Sequence, residues 1–213
     1  MSSIIKVGKV QSSTGNDAVT IANDGTITAN GAIDSLKTDT ISEKTSANGV
    51  SIDGLKVKDY SLMYGSNIGL TIDSSGYALT PKTVWFHAYN GAAQNPDNTT
   101  IEVVEFSTAN QDSSNSYNAS TDSNTFTAPV GGTYYFSYMF MNNSSEHCRH
   151  SFYINNSAVN TKFSKNEVYN LSTNFWVGTL ANGDSVNARI NTAANNEGNI
   201  HNDYRVFTGF LIG

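Results

Sequence analysis

A single cysteine, Cys148, stands in the whole chain, so no intrachain disulfide can form, and folding in a reducing cytoplasm is expected. Long apolar runs are also missing. None approaches the roughly 20 residues that span a bilayer, and the opening MSSIIKVGKV lacks the apolar core of a secretory signal. Neither membrane insertion nor signal-directed export is expected. Basic residues are sparse and scattered, with a net charge of −6, which argues against nucleic acid, whose phosphates need clustered Lys or Arg. Catalytic signatures are lacking too. There is no Gly-x-Ser-x-Gly elbow and no phosphate loop, and the acidic pair Glu102 and Glu105 has no glycosidase context.

What the chain has instead is Asn, Ser, Thr, Gly and aromatic residues. Only 14% of it is charged. This is the palette of short strands joined by polar turns, and an all-β fold is expected. The aromatics are unevenly placed. Residues 1–80 hold Tyr60, Tyr64 and Tyr77, and the other twenty lie beyond. Because large apolar side chains contribute about 1.5–3 kcal/mol each when buried, the second part can build its own core and the first cannot.

Residues 83–89, 101–106, 133–141, 149–154, 174–180, 185–190 and 204–212 read as strands, rich in aromatic and β-branched residues between Asn, Gly, Ser and Asp clusters. Such even spacing without a helical period predicts an antiparallel sandwich or jelly roll. Within TYYFSY, alternation puts Tyr134, Phe136 and Tyr138 on one face and Tyr135 and Ser137 on the other. One set is expected to fill the core and the other to meet a neighbouring subunit.

The first part shows a weak repeat. Val19 and Ile21, Val50 and Ile52, and Leu70 and Ile72 alternate before polar turns that carry Gly25, Gly54 and Gly76. One apolar face per short hairpin is too little to fold alone. Identical chains lying side by side would bury it, which predicts a homo-oligomer.

The order of landmarks resembles the C1q-like domain of the C1q and tumour-necrosis-factor superfamily. The residues that carry the likeness are Phe86 and Ala88, then Tyr117, then Phe126, Thr127, Pro129, Gly132, Tyr134, Phe136 and Ser137, then Asn156, Gly183 and Asp184, and finally Phe207, Gly209, Phe210 and Leu211. The likeness covers residues 82–213. It implies a ten-stranded jelly roll in a compact homotrimer, with aromatic faces about the threefold axis. The collagen-like Gly-X-Y arm that often precedes such domains is absent.

Before that domain, residues 38–60 are similar to modules that recur in bacteriophage tail-fibre and other virion proteins. Ile41, Ser42, Glu43, Thr45, Gly49, Val50, Ile52, Asp53, Gly54, Lys58 and Asp59 carry this second likeness. It implies three parts: a virion-anchoring arm over 1–35, an intertwined β-rich shaft over 36–81, and a C1q-like knob over 82–213. The expected protein is a trimeric fibre or spike of a phage particle, assembled in the host cytoplasm. Its arm would dock to other virion proteins, and its knob would adhere to a host-surface saccharide or protein. Two other readings share the fold: a decoration protein on the phage head, and a free C1q-like lectin or ligand.

The one candidate cluster for covalent or metal chemistry is SSEHCRH. If extended, it puts Cys148 and His150 on one face and His147 and Arg149 on the other. Two ligands on a face fall short of a zinc site unless His87 or His201 joins them. A buried structural cysteine and solvent-facing histidines are expected, with no enzyme activity and no cofactor. Calcium enters only through the family likeness, with oxygen donors available at 95–100 and 110–124. Neither stretch has EF-hand spacing, and Asp and Asn in turns serve mainly to bond their own backbone. The Asn-x-Ser/Thr triplets at Asn98, Asn118, Asn143 and Asn170 read as composition.

Overall fold

A computed structural model describes residues 9–11, 17–21, 27–29, 49–52, 55–96, 99–120, 123–143, 147–164, 169–192 and 199–213. These residues form no helix and nineteen strands.

Strands β1 (Lys9–Gln11), β2 (Asp17–Ile21) and β3 (Ile27–Ala29) form one antiparallel sheet. Next come β4 (Val50–Ile52), β5 (Leu55–Lys58), β6 (Ser61–Tyr64), β7 (Asn67–Ile72) and β8 (Ala78–Leu79), which pair in sequence order as a meander. The alternation in VSIDGLKV and LTIDSSGYAL thus becomes two hairpins, β4–β5 and β7–β8. The second turns at Gly76, whose φ of 85° suits glycine. Register places Val50 opposite Val57, Val57 opposite Leu62, and Leu62 opposite Leu70. Directly opposed residues share a face, so an aliphatic row crosses four strands, and Val57 and Leu62 in it remain exposed. Ile41, Ser42, Glu43, Thr45, Asp53 and Gly54 of the phage-like stretch, with Gly25, lie outside the described residues.

The C-terminal part is a two-sheet sandwich. One sheet contains β9 (Trp85–Tyr89), β11 (Thr108–Asp112), β14 (Gly132–Asn142), β17 (Asn170–Leu180) and β19 (Ile200–Leu211), in the order β11-β9-β19-β14-β17. The other contains β12 (Tyr117–Asn118), β13 (Thr125–Thr127), β15 (Cys148–Ile154), β16 (Ser157–Ser164) and β18 (Ser185–Thr192), in the order β12-β13-β18-β15-β16. The two-residue β10 (Glu102–Val103) also pairs with β18.

All seven expected strands therefore exist, but 101–106 contributes only two ladder residues. The reason is packing. Val104 and Phe106 turn inward and are fully buried, while the backbone amides of Glu105 and Phe106 donate to the side chains of Gln94 and Asn124 at 2.9 and 2.7 Å. Side-chain acceptors replace the ladder there.

Aromatic residues fill the space between the sheets. Phe86 stacks on Tyr117 at 4.8 Å and meets Phe207 edge-on at 4.9 Å, and Phe126 meets Phe136 at 5.2 Å. Each such ring pair adds about 0.5–1.5 kcal/mol beyond burial. Gly209 is required by this cluster, since a Cβ there would lie 2.4 Å from the Phe136 ring and 2.7 Å from Phe86. Gly132 has a similar role at the sheet margin, where a Cβ would meet the Leu211 side chain at 2.6 Å. Tyr134, Phe136 and Tyr138 point into this core, whereas Tyr135 and Ser137 point away from it.

Candidate interaction surface

The outer face of the β11-β9-β19-β14-β17 sheet is built by strict alternation. Where β14 sends Tyr134, Phe136, Tyr138 and Phe140 inward, it presents Tyr135, Ser137, Met139 and Met141 outward. The neighbouring β17 presents Leu171, Thr173, Phe175 and Val177, and β19 presents Tyr204, Val206, Thr208 and Phe210. Trp85, His87 and Tyr89 continue the face on β9. None of these residues is Asp, Glu, Lys or Arg. Phe175 is 60% exposed and Val177 53%. A recess of about 310 Å³ opens between Tyr135, Met139, Phe175 and Val206. An uncharged aromatic and aliphatic face of this kind is characteristic of interaction surfaces.

The sequence landmarks divide by role. Phe126, Tyr134, Phe136 and Phe207 are core side chains. Phe210 lies on the outer face instead, 5.1 Å from the Tyr135 ring. Pro129, Gly183 and Asp184 build one end of the sandwich. Gly183 takes a φ of 88°, the Pro129 carbonyl accepts from the Asn182 side chain at 2.7 Å, and the Asp184 carboxylate accepts from Asn155 and from the Ala181 backbone, each at 2.7 Å. Those two bonds hold the Asp184 carboxyl below its ordinary value. These landmarks shape the fold and do not converge on a catalytic centre.

The SSEHCRH cluster behaves differently from expectation at one residue. Cys148 and His150 do share the inward face, and the thiol is buried, which pushes its pKa up. His150, expected to face solvent, is buried too. The cause is a polar pocket prepared for it between the sheets. Its Nδ1 pairs with the Tyr138 hydroxyl at 2.8 Å and its Nε2 with the Ser164 hydroxyl at 2.9 Å. Ser164 accepts from Ser172 at 3.0 Å, and Ser172 lies 3.8 Å from the Cys148 sulfur. With both ring nitrogens engaged, His150 is poorly placed as base or ligand. His147 and Arg149 lie on the opposite, exposed face. Among the described residues no three His, Cys, Asp or Glu side chains gather as a metal site. Asp112, in the stretch with spare oxygens, accepts from the amides of Ser114 and Tyr117 at 3.2 and 2.7 Å, closing its own turn.

Burial, with a smaller contribution from Lys162, lowers the His150 pKa from 6.5 to about 4. The imidazole is thus neutral when folded, and the unfolded chain takes up its proton first as pH falls. Stability from this residue is complete above 6.5 and is lost as pH falls toward 4, at about 1.4 kcal/mol per unit. Urea titrations of wild type and His150→Gln should therefore show a difference in stability that changes across that window and is constant above it. A pH-independent difference would contradict a neutral buried imidazole.

Solved structures that resemble the chain include the globular domain of zebrafish complement 1qA, with 19% identity, a TM-score of 0.48, and coverage of 61% of this chain and 98% of that one. Murine APRIL at pH 8.0 shows 11% identity and a TM-score of 0.49 over 61% of this chain and 100% of that one. The Eiger TNF of S. frugiperda shows 7% identity and a TM-score of 0.46 over 62% and 93%. Comparison with curated proteins yields no match. The C1q domain family matches residues 86–212, which is more than half of the chain and runs from within β9 past the end of β19. The chain belongs to the C1q domain family.

Proposed function

We propose that this protein is a structural component of a bacteriophage particle, a homotrimeric fibre or spike whose C-terminal knob adheres to the host surface. The observation that carries the proposal is the uncharged outer face of the β11-β9-β19-β14-β17 sheet, with Phe175 and Val177 more than half exposed. Burying such a face gains about 25 cal/mol per Å², and three copies arranged about an axis would cover it without leaving an open edge. The aliphatic row from Val50 to Leu70 supports the same assembly, because it too lacks a covering layer among the described residues. The likeness of residues 38–60 to phage fibre modules supports the particle assignment. In this reading residues 1–35 dock to other virion proteins, and the knob holds the host through three equivalent surfaces at once.

Gold-labelled antibodies raised against residues 82–213 and applied to purified particles test the assignment. Label at fibre or spike tips is the expected result. Label over the head would move the protein to capsid decoration, and its absence from particles would overturn the virion role.

A further inference from the structure

The chain contains three arginines, and two of them are engaged within the fold. Arg205 is buried and bonded to backbone and Gln94 oxygens. Arg189 lies 4.4 Å over the ring of Tyr153, with its Nε donating to Asn187 at 2.9 Å and its Nη2 donating to Asn156. On the outer face of β18 and β15, one guanidinium is thus combined with an aromatic ring and amide oxygens, all supplied by the protein.

At the other end of the same sheet the three chemistries recur, but the arrangement is open. Arg149 on β15 stands directly opposite Phe163 on β16 and opposite Asn191 on β18. The three residues form a row on one face, about 10 Å long at the usual strand spacing. His147, Arg149, Phe163 and Asn191 line a recess of about 340 Å³. Phe163 is 77% exposed, and no hydrogen bond or ion pair holds the Arg149 guanidinium among the described residues. On a chain of net charge −6, this guanidinium beside a bare ring offers an anion an uncommon landing place.

We infer that this row is a binding platform for an acidic saccharide. Arg149 would receive the carboxylate in a charge-assisted fork. The Phe163 ring would lie against the apolar face of a sugar ring, and the Asn191 amide would bond a neighbouring hydroxyl. The Arg189 site is the internal counterpart, where amide oxygens of the protein occupy the acceptor positions. The platform lies on the sheet opposite the proposed trimer face, so three copies would point outward. This inference rests on the adhesive role proposed above and names the surface and ligand class.

Titration of the full chain with sialyllactose against lactose, and with trigalacturonate against its methyl ester, tests it. At least one acid should bind more tightly than its neutral partner. Arg149→Gln and Phe163→Ala should each weaken that binding by about tenfold or more, as loss of a hydrogen bond to a charged group implies. Both side chains are exposed, so the variants should keep the wild-type mass and circular dichroism. Binding of neither acid, equal binding of acid and neutral partner, or wild-type affinity in both variants would overturn the inference. Competition for phage adsorption separates the two proposals. If the wild-type chain blocks adsorption and the variants block it equally well, the platform is wrong and adhesion stands. If the chain binds acid through Arg149 and Phe163 yet never blocks adsorption, the platform stands and host adhesion fails.

Discussion

Replacing Phe175 by aspartate is expected to split the assembled protein into folded monomers. The side chain is on the outer face of β17, opposite Ser137 of β14 and 60% exposed in the single chain. A carboxylate there meets water in the monomer, so the fold itself should be unaffected. In the proposed trimer the same carboxylate would be carried into an uncharged interface three times over. Each unpaired buried charge costs several kcal/mol, enough to move the association constant by several powers of ten. The variant should therefore sediment near 22.9 kDa, with unchanged circular dichroism. Host adhesion, if it depends on three copies acting together, should weaken by about a hundredfold or more. Phe163→Asp, on the opposite sheet, provides the control and should leave the assembly intact. A Phe175→Asp protein with wild-type mass would show that this face does not hold the trimer.

The second large effect concerns Arg205. Its side chain is 1% exposed, and all five of its N–H donors find oxygen. Nε donates to the His201 carbonyl at 2.9 Å. Nη1 donates to Gln94 Oε1 at 2.9 Å and to the Glu105 carbonyl at 3.0 Å, and Nη2 to the Ala92 and Ile200 carbonyls at 2.6 and 3.0 Å. Burial lowers its pKa to about 10, so the group is still charged at neutral pH. The guanidinium ties Ala92, Gln94 and Glu105 to β19. Arg205→Met would strand these oxygens without donors, with an expected loss of about 3–5 kcal/mol of stability. That corresponds to a melting temperature lower by roughly 10 °C or more for a domain of this size. Arg205→Lys should fall between the two, since an ammonium offers three donors from a single point. Equal melting of Met and Lys variants with wild type would refute the clamp.

These two residues differ in how readable they are. Phe175 follows from alternation, because once Trp176 is assigned to the inner face its neighbours must point outward. Strands rich in aromatic and β-branched residues declared themselves for that reason, and so did the two faces of TYYFSY. Strands β11, β12, β13 and β16 did not. In β11 and β16 the composition, TANQD and SAVNTKFS, is polar because an edge strand keeps much of its surface in water, while β12 and β13, of two and three residues, are too short to show a period. One signal was available for β16: Asn155 and Asn156 both take positive φ, at 47° and 65°, as a two-residue hairpin turn requires, and adjacent asparagines before a run of alternating residues point to such a turn. Arg205 is less accessible still. Four of its partners are main-chain carbonyls, which every residue carries, from segments up to 113 positions away. The burial of His150 is hidden from the sequence for a related reason, since the Tyr138 and Ser164 hydroxyls that accommodate it come from different strands. The row of Phe163, Arg149 and Asn191 likewise exists only once three strands have found their register.

Among the N-terminal elements, regular alternation was legible, and the open row from Val50 to Leu70 is its consequence. Its exposure repeats the logic of the sandwich face. Both parts of the chain expose an apolar layer, which in the proposed trimer another copy covers.

The most direct test of that claim is the molar mass of the full chain in solution by light scattering at micromolar concentration. The account predicts a stable particle of three chains, each of 22.9 kDa, that persists on dilution. A well-folded monomer under the same conditions would contradict it.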